Sequence, residues 1–211
     1  QEWLSNYKPD FLISNGKISE KFLIDRGNSS QNIVNGPALR YEKLISKNLS
    51  NPKKNFDKKN IFVPLSQIRD QNIELLNKVF DLNNLLGNEY FNFYIRPHPN
   101  LEIENLFLNK INSKKNNNIQ ISQLNMSELM DQCLICLSMS TGAVYDAIIN
   151  GNIVINVESE LNYCDNYLDF VADRFEFLKT RSLEEVVILL NKLKIDENSK
   201  KNLEEYKKVQ K

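Results

Sequence analysis

The chain has 211 residues, and its 27 Lys and Arg residues balance 27 Asp and Glu residues, so the formal net charge is zero. A balanced chain has no overall field that attracts nucleic acid or anionic lipid, so any anion-binding site must be local. Hydrophobic residues make up 41% of the chain, which supports a packed core, but every apolar run is far too short to span a bilayer. The N-terminal residues lack the basic segment and apolar run of a signal peptide, and we expect a cytoplasmic protein.

Residues 1–47 predict one βαβ unit. Strands at Asp10–Ser14 and Asn32–Asn35 flank a helix at Ile18–Arg26, and a second helix follows at Ala38–Lys47. A lone βαβ unit cannot cover both faces of its sheet. We therefore expect that residues upstream of Gln1 once belonged to this domain, or that the unit docks onto the chain that follows.

The Lys-rich and Asn-rich segment 48–60 follows, and we interpret it as a linker; it and the similar stretch 112–118 are typical of solvated loops. From residue 61 to residue 211, strands and helices alternate, which predicts an α/β, Rossmann-like domain with a doubly wound, mostly parallel sheet. The predicted strands are Ile61–Leu65, Phe91–Arg96, Ile119–Ser122, Leu134–Leu137 and Asn152–Val157. The predicted helices are Asp70–Leu82, Glu102–Ile111, Ser127–Gln132, one from Ala143, Tyr167–Arg174, Ser182–Lys194 and Ser199–Val209.

The strongest functional signal is a hydroxyl-rich turn between the buried strand that ends at Leu137 and the helix that begins near Ala143. Free backbone N–H groups and the positive end of a helix dipole meet at such a turn, and a glycine lets a phosphate approach the main chain. The alternative is that Ser140 or Thr141 merely caps the helix. The candidate phosphate-binding residues are Ser138, Ser140, Thr141 and Gly142.

A second candidate follows the strand Phe91–Arg96. The sequence continues as Pro97-His98-Pro99, and His98 is the chain's only histidine. The flanking prolines restrict the backbone, so the imidazole is held at the strand's end, where it can donate a hydrogen bond or a proton to a phosphate oxygen. The alternative is a turn histidine that caps a carbonyl. In a doubly wound sheet this loop and the hydroxyl-rich turn open at the same carboxyl edge.

The three cysteines, Cys133, Cys136 and Cys164, are odd in number and lack metal-ligand spacing, so we interpret them as small buried hydrophobes in a reducing compartment. The sequence shows neither an Asp-x-Asp motif nor a His/Cys/Asp cluster with ligand spacing. A helix terminus and a histidine can replace a divalent cation at a leaving phosphate. We expect no metal and no other cofactor.

The motifs RPHP and SxSTGxxxDA, followed by NGNIVINV, resemble the carboxyl-terminal half of GT-B glycosyltransferases that build bacterial surface polysaccharides, including capsule. The nearest relatives by this resemblance are bacterial sialyltransferases, Kdo transferases and CDP-glycerol glycerophosphotransferases. The opening segment, residues 10–44, is similar to the last βαβ unit of their amino-terminal domain. The resemblance covers most of the chain.

The resemblance implies a role for each matching residue. His98 would contact the donor phosphate and assist departure of the nucleotide, as the catalytic residue. The hydroxyl-rich turn would bind the same phosphate, with Arg96 and Arg40 as candidates for charge neutralisation, and Asp146 would accept the ribose hydroxyls. For Asp146 a solvated helix position is the alternative, and for both arginines it is a surface ion pair.

The resemblance also implies partners. The donor would be a CMP- or CDP-linked sugar or glycerol and the acceptor a growing polysaccharide or lipid-linked chain, with the full protein at the inner face of the membrane and no nucleic acid bound. The acidic general base of the sialyltransferases lies in their amino-terminal domain, so we expect this chain to bind a nucleotide without turnover. A sugar-nucleotide 2-epimerase and a non-catalytic module of a polysaccharide assembly complex remain as alternatives.

Overall fold

The structure is a computed structural model, and it describes residues 9–36, 39–50, 57–87, 90–161, 179–180 and 182–195. The helices predicted at 167–174 and 199–209, together with Cys164, lie outside the described residues. The chain divides into two compact units, Gln1–Lys47 (unit 1) and Asn48–Lys211 (unit 2).

Unit 1 contains the expected βαβ motif. Strands β1 (Leu12–Ser14) and β2 (Ile33–Asn35) pair in parallel, and helix α1 (Lys17–Asp25) connects them. The helix predicted at 38–47 begins as a 3-10 turn, and its α-helical part, α2 (Glu42–Ser50), ends three residues later than expected.

Unit 2 is built around a six-stranded, all-parallel sheet, which confirms the α/β fold class. The strand order is β5-β4-β3-β6-β7-β8. The strands are β3 (Asp57–Pro64), β4 (Asn92–Arg96), β5 (Ile119–Ile121), β6 (Cys133–Ser138), β7 (Ile153–Val157) and β8 (Lys179–Thr180). The helices are α3 (Arg69–Leu85), α4 (Asn105–Ile111), α5 (Met126–Gln132), α6 (Ala143–Asn150) and α7 (Leu183–Ile195).

Two asparagines of the polar segments, Asn60 and Asn118, are buried. Strand β3 begins at Asp57, inside the segment interpreted as a linker, and Asn60 is buried there, with its side chain bonded to Asn92. Asn118, in the second Asn-rich stretch, is also buried, and its amide donates to the carbonyl of Phe91 over 2.8 Å. Expecting these two side chains to be solvated was wrong, because each satisfies a polar partner inside the fold.

Residues 60–64 of β3 and all residues of β6, the two central strands, are buried. Alternate side chains of one strand enter different cores: Ile61 packs in the core beneath α3 and α7, whereas Phe62 packs in the core beneath α5 and α6. Strand β6 repeats the pattern with Ile135 and Cys136. Side chains in a strand alternate between faces, so burial on both faces explains the continuous apolar runs in the sequence.

The chain order creates a switch point in the sheet. From β3 the chain adds β4 and β5 on one side, and then returns to place β6 and β7 on the other side of β3. The loops after β3 and β6 therefore diverge in opposite directions at the carboxyl edge. Ligands of open α/β sheets bind in the crevice that such a divergence leaves.

Helix α3 holds the loop after β7 through a charged cluster. The Glu74 carboxylate accepts from Ser159 Oγ over 2.6 Å, from the Glu160 N–H over 2.9 Å and from Lys78 Nζ over 2.9 Å. Lys78 Nζ also donates to the Glu158 carbonyl over 3.3 Å. Burial alone would raise the pKa of Glu74, but these hydrogen bonds and the ammonium charge together lower it below its ordinary value of 4.5.

We expect Glu74→Gln to lower the free energy of unfolding by about 1–2 kcal/mol near pH 7, because the acceptor of three hydrogen bonds loses its charge. The lowered pKa of Glu74 means that its contribution is complete above about pH 4.5 and is lost as the pH falls through the folded-state pKa. Urea unfolding at pH 7 and at pH 3 measures the difference. Asp81→Asn, at an exposed position of the same helix, is the control, and an equal loss for Glu74→Gln at both pH values would contradict the assignment.

Candidate functional site

The predicted site residues follow strands β4 and β6, which flank β3 on its two sides. All three strands run in parallel, so the loops after them open at the same edge of the sheet. Neighbouring strands lie about 4.8 Å apart, which puts the ends of β4 and β6 about 10 Å apart. The phosphate and sugar of one nucleotide are long enough to bridge that gap.

The β6–α6 turn has an unusual backbone conformation. Ser140 has φ of 43°, and it has the only positive φ of a non-glycine residue within the described ranges. Left-handed backbone costs such a residue of order 1 kcal/mol, and such strain concentrates at ligand-binding turns. Ser140 is the turn's second residue after β6 and is buried.

The start of α6 keeps donors available. Gly142 is the N-cap, with no side-chain cap, and Thr141 Oγ1 accepts only weakly, over 3.4 Å, from the Ala143 N–H. In the part of the chain that the structure describes, the N–H groups of Thr141 and Gly142 have no acceptor. The sequence left two alternatives open, helix capping and phosphate binding. Capping by Thr141 is present but weak, and two backbone N–H donors remain for an anion.

Space above the turn is open at Gly142. A Cβ atom added to Gly142 would meet no heavy atom within 4 Å. Its φ of −63° is one that any residue adopts, so neither backbone strain nor internal packing requires a glycine here. A glycine at a position that would accept a side chain fits the close approach of a ligand to the main chain.

Ser138 differs from the rest of the predicted set. It is the last residue of β6, its relative exposure is 0%, and its hydroxyl donates to Asn156 Oδ1 on the neighbouring strand over 3.2 Å. This hydrogen bond ties β6 to β7 beneath the turn. A phosphate contact by Ser138 stays a prediction.

His98 lies two residues beyond the end of β4 and is partly exposed. Its Nδ1 accepts from the backbone N–H of Asn100 over 3.3 Å, and its carbonyl accepts from the N–H of Leu101 over 3.0 Å. Because Nδ1 is an acceptor in this turn, the imidazole proton belongs on Nε2. Nε2 can then donate to a phosphate oxygen, while the turn fixes the orientation of the ring.

The remaining candidates occupy different environments. Arg96 ends β4, where its carbonyl accepts from the Leu65 N–H over 2.9 Å. Its side chain is partly buried, and among the described residues none is its ion-pair partner. Asp146 lies in the first turn of α6, partly buried. The side chain of Arg40 lies outside the part that the structure describes.

The sequence did not predict a cluster of hydrogen-bonded polar side chains after β3, at the switch point. Ser66, Gln71 and Asn72 form this Ser66 cluster. The side-chain amide of Asn72 makes two hydrogen bonds to the backbone of Ser66. It accepts from the Ser66 N–H over 2.8 Å and donates to the Ser66 carbonyl over 2.9 Å. Ser66 Oγ donates to Gln71 Oε1 over 2.9 Å and accepts from the Ile68 N–H over 3.0 Å. The one signal was a polar Gln-Asn pair in the first turns of an otherwise apolar helix face. The Ser66 cluster fixes the turn that follows β3 beside the candidate site.

Neither a metal centre nor a membrane span appears in the described part of the chain. Its His, Cys, Asp and Glu residues form no group of three or more that is able to hold a metal ion. None of its helices combines the length and the apolarity needed to cross a bilayer.

Comparison with known proteins finds likeness at the level of fold. No protein-family model matches the chain, and no curated protein sequence matches it. A putative UDP-N-acetylglucosamine 2-epimerase from Listeria monocytogenes aligns with a TM-score of 0.57 at 13% identity, over 90% of this chain and 52% of that one. MnaA of S. aureus, solved with UDP, gives a TM-score of 0.57 at 16% identity over 90% and 53%. An O-GlcNAc transferase from Thermobaculum terrenum gives 0.53 at 11% identity over 95% and 40%.

The chain thus has the fold of about half of a GT-B protein, and it spans about half or less of the length of these solved relatives. That fold occurs in both transferases and epimerases. The likeness therefore places the chain in a fold class and assigns no reaction to it.

Ser140→Gly tests the strain in the turn. Glycine adopts positive φ at little cost, so we expect this substitution to raise the free energy of unfolding by up to about 1 kcal/mol. Thr141→Gly is the matched control, because Thr141 has no positive φ, and it should destabilise the protein. Urea unfolding measures both, and a loss of stability in Ser140→Gly would show that the left-handed backbone is not strained.

Ser138→Ala separates the two roles of the Ser138 hydroxyl, the hydrogen bond to β7 and the predicted phosphate contact. Loss of a buried hydrogen bond between β6 and β7 should lower the free energy of unfolding by about 1 kcal/mol. Because the hydroxyl proton is already donated to Asn156, we expect nucleotide affinity to change less than twofold. Thermal unfolding and calorimetric titration measure the two effects, and a tenfold loss of affinity with unchanged stability would show that Ser138 contacts the phosphate.

Proposed function

We propose that unit 2 binds the phosphate of a nucleotide-activated sugar or glycerol at the β6–α6 turn, as the donor-binding part of a transferase for surface polysaccharide. The observation that carries this proposal is the weakly capped start of α6 at a sheet switch point. Two backbone N–H groups without acceptors meet a helix dipole there, beneath open space at Gly142. A helix N-terminus in that position favours an anion.

Each candidate residue has a role in this proposal. The N–H groups of Thr141 and Gly142, with the hydroxyls of Ser140 and Thr141, bind the donor phosphate. His98 donates from Nε2 to a phosphate oxygen and so stabilises the charge that develops as the nucleotide leaves.

Two further side chains complete the site. Arg96 adds a positive charge at the same edge of the sheet. Asp146, in the first turn of α6, accepts hydrogen bonds from the vicinal hydroxyls of the ribose. The reaction is displacement at the donor carbon, or at phosphorus for a glycerophosphate donor, without a metal ion.

The resemblance to sialyltransferases, Kdo transferases and glycerophosphotransferases implies a cytidine nucleotide, whereas a solved protein of the same fold was determined with UDP. A second candidate function, a UDP-sugar 2-epimerase, is favoured by the likeness to the Listeria protein. An epimerase needs acid and base groups near the cleft, and the lone histidine argues against it. The acceptor is a growing polysaccharide or lipid-linked chain. We expect the 211-residue chain to bind the donor without turnover, because the acidic general base of the sialyltransferases that it resembles lies in their amino-terminal domain.

Calorimetric titration of the chain with CMP, CDP and UDP, with and without Mg²⁺, tests the proposal. We expect one nucleotide to bind without Mg²⁺, and Gly142→Ala to weaken it by tenfold or more, because the added methyl group occupies the space of the phosphate. The backbone at Gly142 accepts alanine without strain, so thermal stability should not fall. His98→Ala should also weaken binding, by about tenfold, through loss of one hydrogen bond to a charged group.

The matched control is Ile188→Ala, at an exposed position of α7 in the same unit. Binding of UDP alone would favour a UDP-sugar transferase or the epimerase, and binding of CMP or CDP would favour the proposed transferase. Full affinity in Gly142→Ala would place the nucleotide elsewhere and overturn the proposed site.

A further inference from the structure

Glu158 is the first residue after β7, and hydrogen bonds hold its backbone in place. Its N–H donates to the Thr180 carbonyl over 2.9 Å, which continues the ladder between β7 and β8. Its carbonyl accepts from Lys78 Nζ over 3.3 Å. The next two residues are bonded to the Glu74 carboxylate. The backbone of Glu158 is therefore fixed, while the residue itself is partly exposed.

The register of the sheet places Glu158 beside the β6–α6 turn. Strands β6 and β7 pair in parallel, with Ser138 opposite Asn156. Counting on by two residues along each strand brings Glu158 next to Ser140. Neighbouring strands lie about 4.8 Å apart, so the two residues are separated by about one strand spacing.

The side chain of Glu158 lies on the face of the sheet that carries α6. Val154 packs in the core beneath α5 and α6, and Asn156, two residues further on, bonds to Ser138 on that face. Val157 packs in the opposite core. Because side chains alternate along a strand and the ladder continues to Glu158, its carboxylate is on the same side as the start of α6. A carboxylate thus borders the proposed phosphate site.

A carboxylate beside a phosphate site selects which other groups bind there. An ionised carboxylate only accepts hydrogen bonds, so it repels the ionised oxygens of a phosphate and takes a hydroxyl group instead. In a nucleotide-activated sugar or glycerol, the hydroxyls near the phosphate belong to the ribose and to the transferred group. The base is farther from the phosphate than either of them.

We propose that Glu158 is a specificity-determining residue of the donor site, where its carboxylate accepts a hydrogen bond from a hydroxyl near the donor phosphate. The inference rests on the proposed function, because it takes the phosphate to lie at the β6–α6 turn. Glu74 and Lys78 support this role by holding the backbone around Glu158 before a ligand arrives, so less conformational freedom is lost on binding.

Calorimetric titration of the 211-residue chain and of its Glu158→Ala variant tests the proposal with three forms of one nucleotide. The cytidine set is CDP, 2′,3′-dideoxy-CDP and CDP-glycerol, and the uridine set is UDP, 2′,3′-dideoxy-UDP and UDP-N-acetylglucosamine. The set that the unmodified chain binds is used.

The pattern across the three forms identifies the source of the hydroxyl. If the ribose supplies it, Glu158→Ala weakens binding of CDP or UDP by about tenfold and leaves that of the dideoxy form unchanged. If the transferred group supplies it, the variant weakens only the glycerol-linked or sugar-linked form. Glu158→Gln keeps the size of the side chain and a neutral acceptor, so it should weaken the same form by less, and it replaces Glu158→Ala if that variant does not fold.

Glu160→Ala is the matched control. Glu160 lies two residues further along the same loop, its side chain is 82% exposed, and its carboxylate pairs with Lys78 over 3.2 Å. An ion pair with such an exposed partner contributes little, so we expect this variant to change each affinity by less than twofold. Thermal unfolding of the variants shows that they keep the fold.

Equal affinities of the unmodified chain and Glu158→Ala for all three forms would overturn the proposal. Equal weakening of all three forms would also overturn it, because a purely structural role of Glu158 does not depend on hydroxyl groups of the ligand. Failure of the unmodified chain to bind either set would overturn the proposal, and if CMP also failed to bind, the proposed function would fall with it.

Discussion

The burial of β3 and β6 on both faces is the constraint on which unit 2 depends. A strand with apolar cores on both sides has no room for reactive or charged side chains along its length. Polar chemistry is therefore confined to the strand ends, and parallel pairing brings those ends to one edge. Three polar features lie at that edge for the same reason: the hydroxyl-rich turn, the loop that carries His98 and the Ser66 cluster.

Buried asparagines hold the loops that this arrangement requires. Asn152 donates to the carbonyls of Met130 and Cys133, over 2.8 and 2.6 Å, and so fixes the junction of α5 with β6. Asn118 joins the loop before β5 to Asn83 of α3 over 2.6 Å. Amide side chains can hold these loops because each offers both hydrogen-bond donors and acceptors to backbone groups that would otherwise be buried without partners. The asparagine-rich composition thus has a structural use inside the fold as well as on its surface.

The sequence was most informative where periodicity and burial agree. The apolar run 134–137 and the alternating pattern around it predicted β6, the helix after it and the parallel sheet, because each strand must face two cores. Contacts between distant residues were not readable from the sequence: the hydrogen bond between Ser138 and Asn156, which ties a candidate ligand to the neighbouring strand, is one example. The two-residue strand β8 and the start of β3 at Asp57 were missed because neither carries an apolar run. The strain at Ser140 has no signature in composition, since serine rarely adopts that backbone.

The left-handed backbone of Ser140 also limits which sequences can build this turn. Glycine, asparagine and aspartate enter that region most readily, and β-branched residues are nearly excluded from it. A family of such sites should therefore vary only among a few small or amide-bearing residues at this position. The residues found at the position of Ser140 would then distinguish chains that keep this turn from chains that keep only the fold. Whether the residue carries a hydroxyl would matter less than whether it can adopt a positive φ.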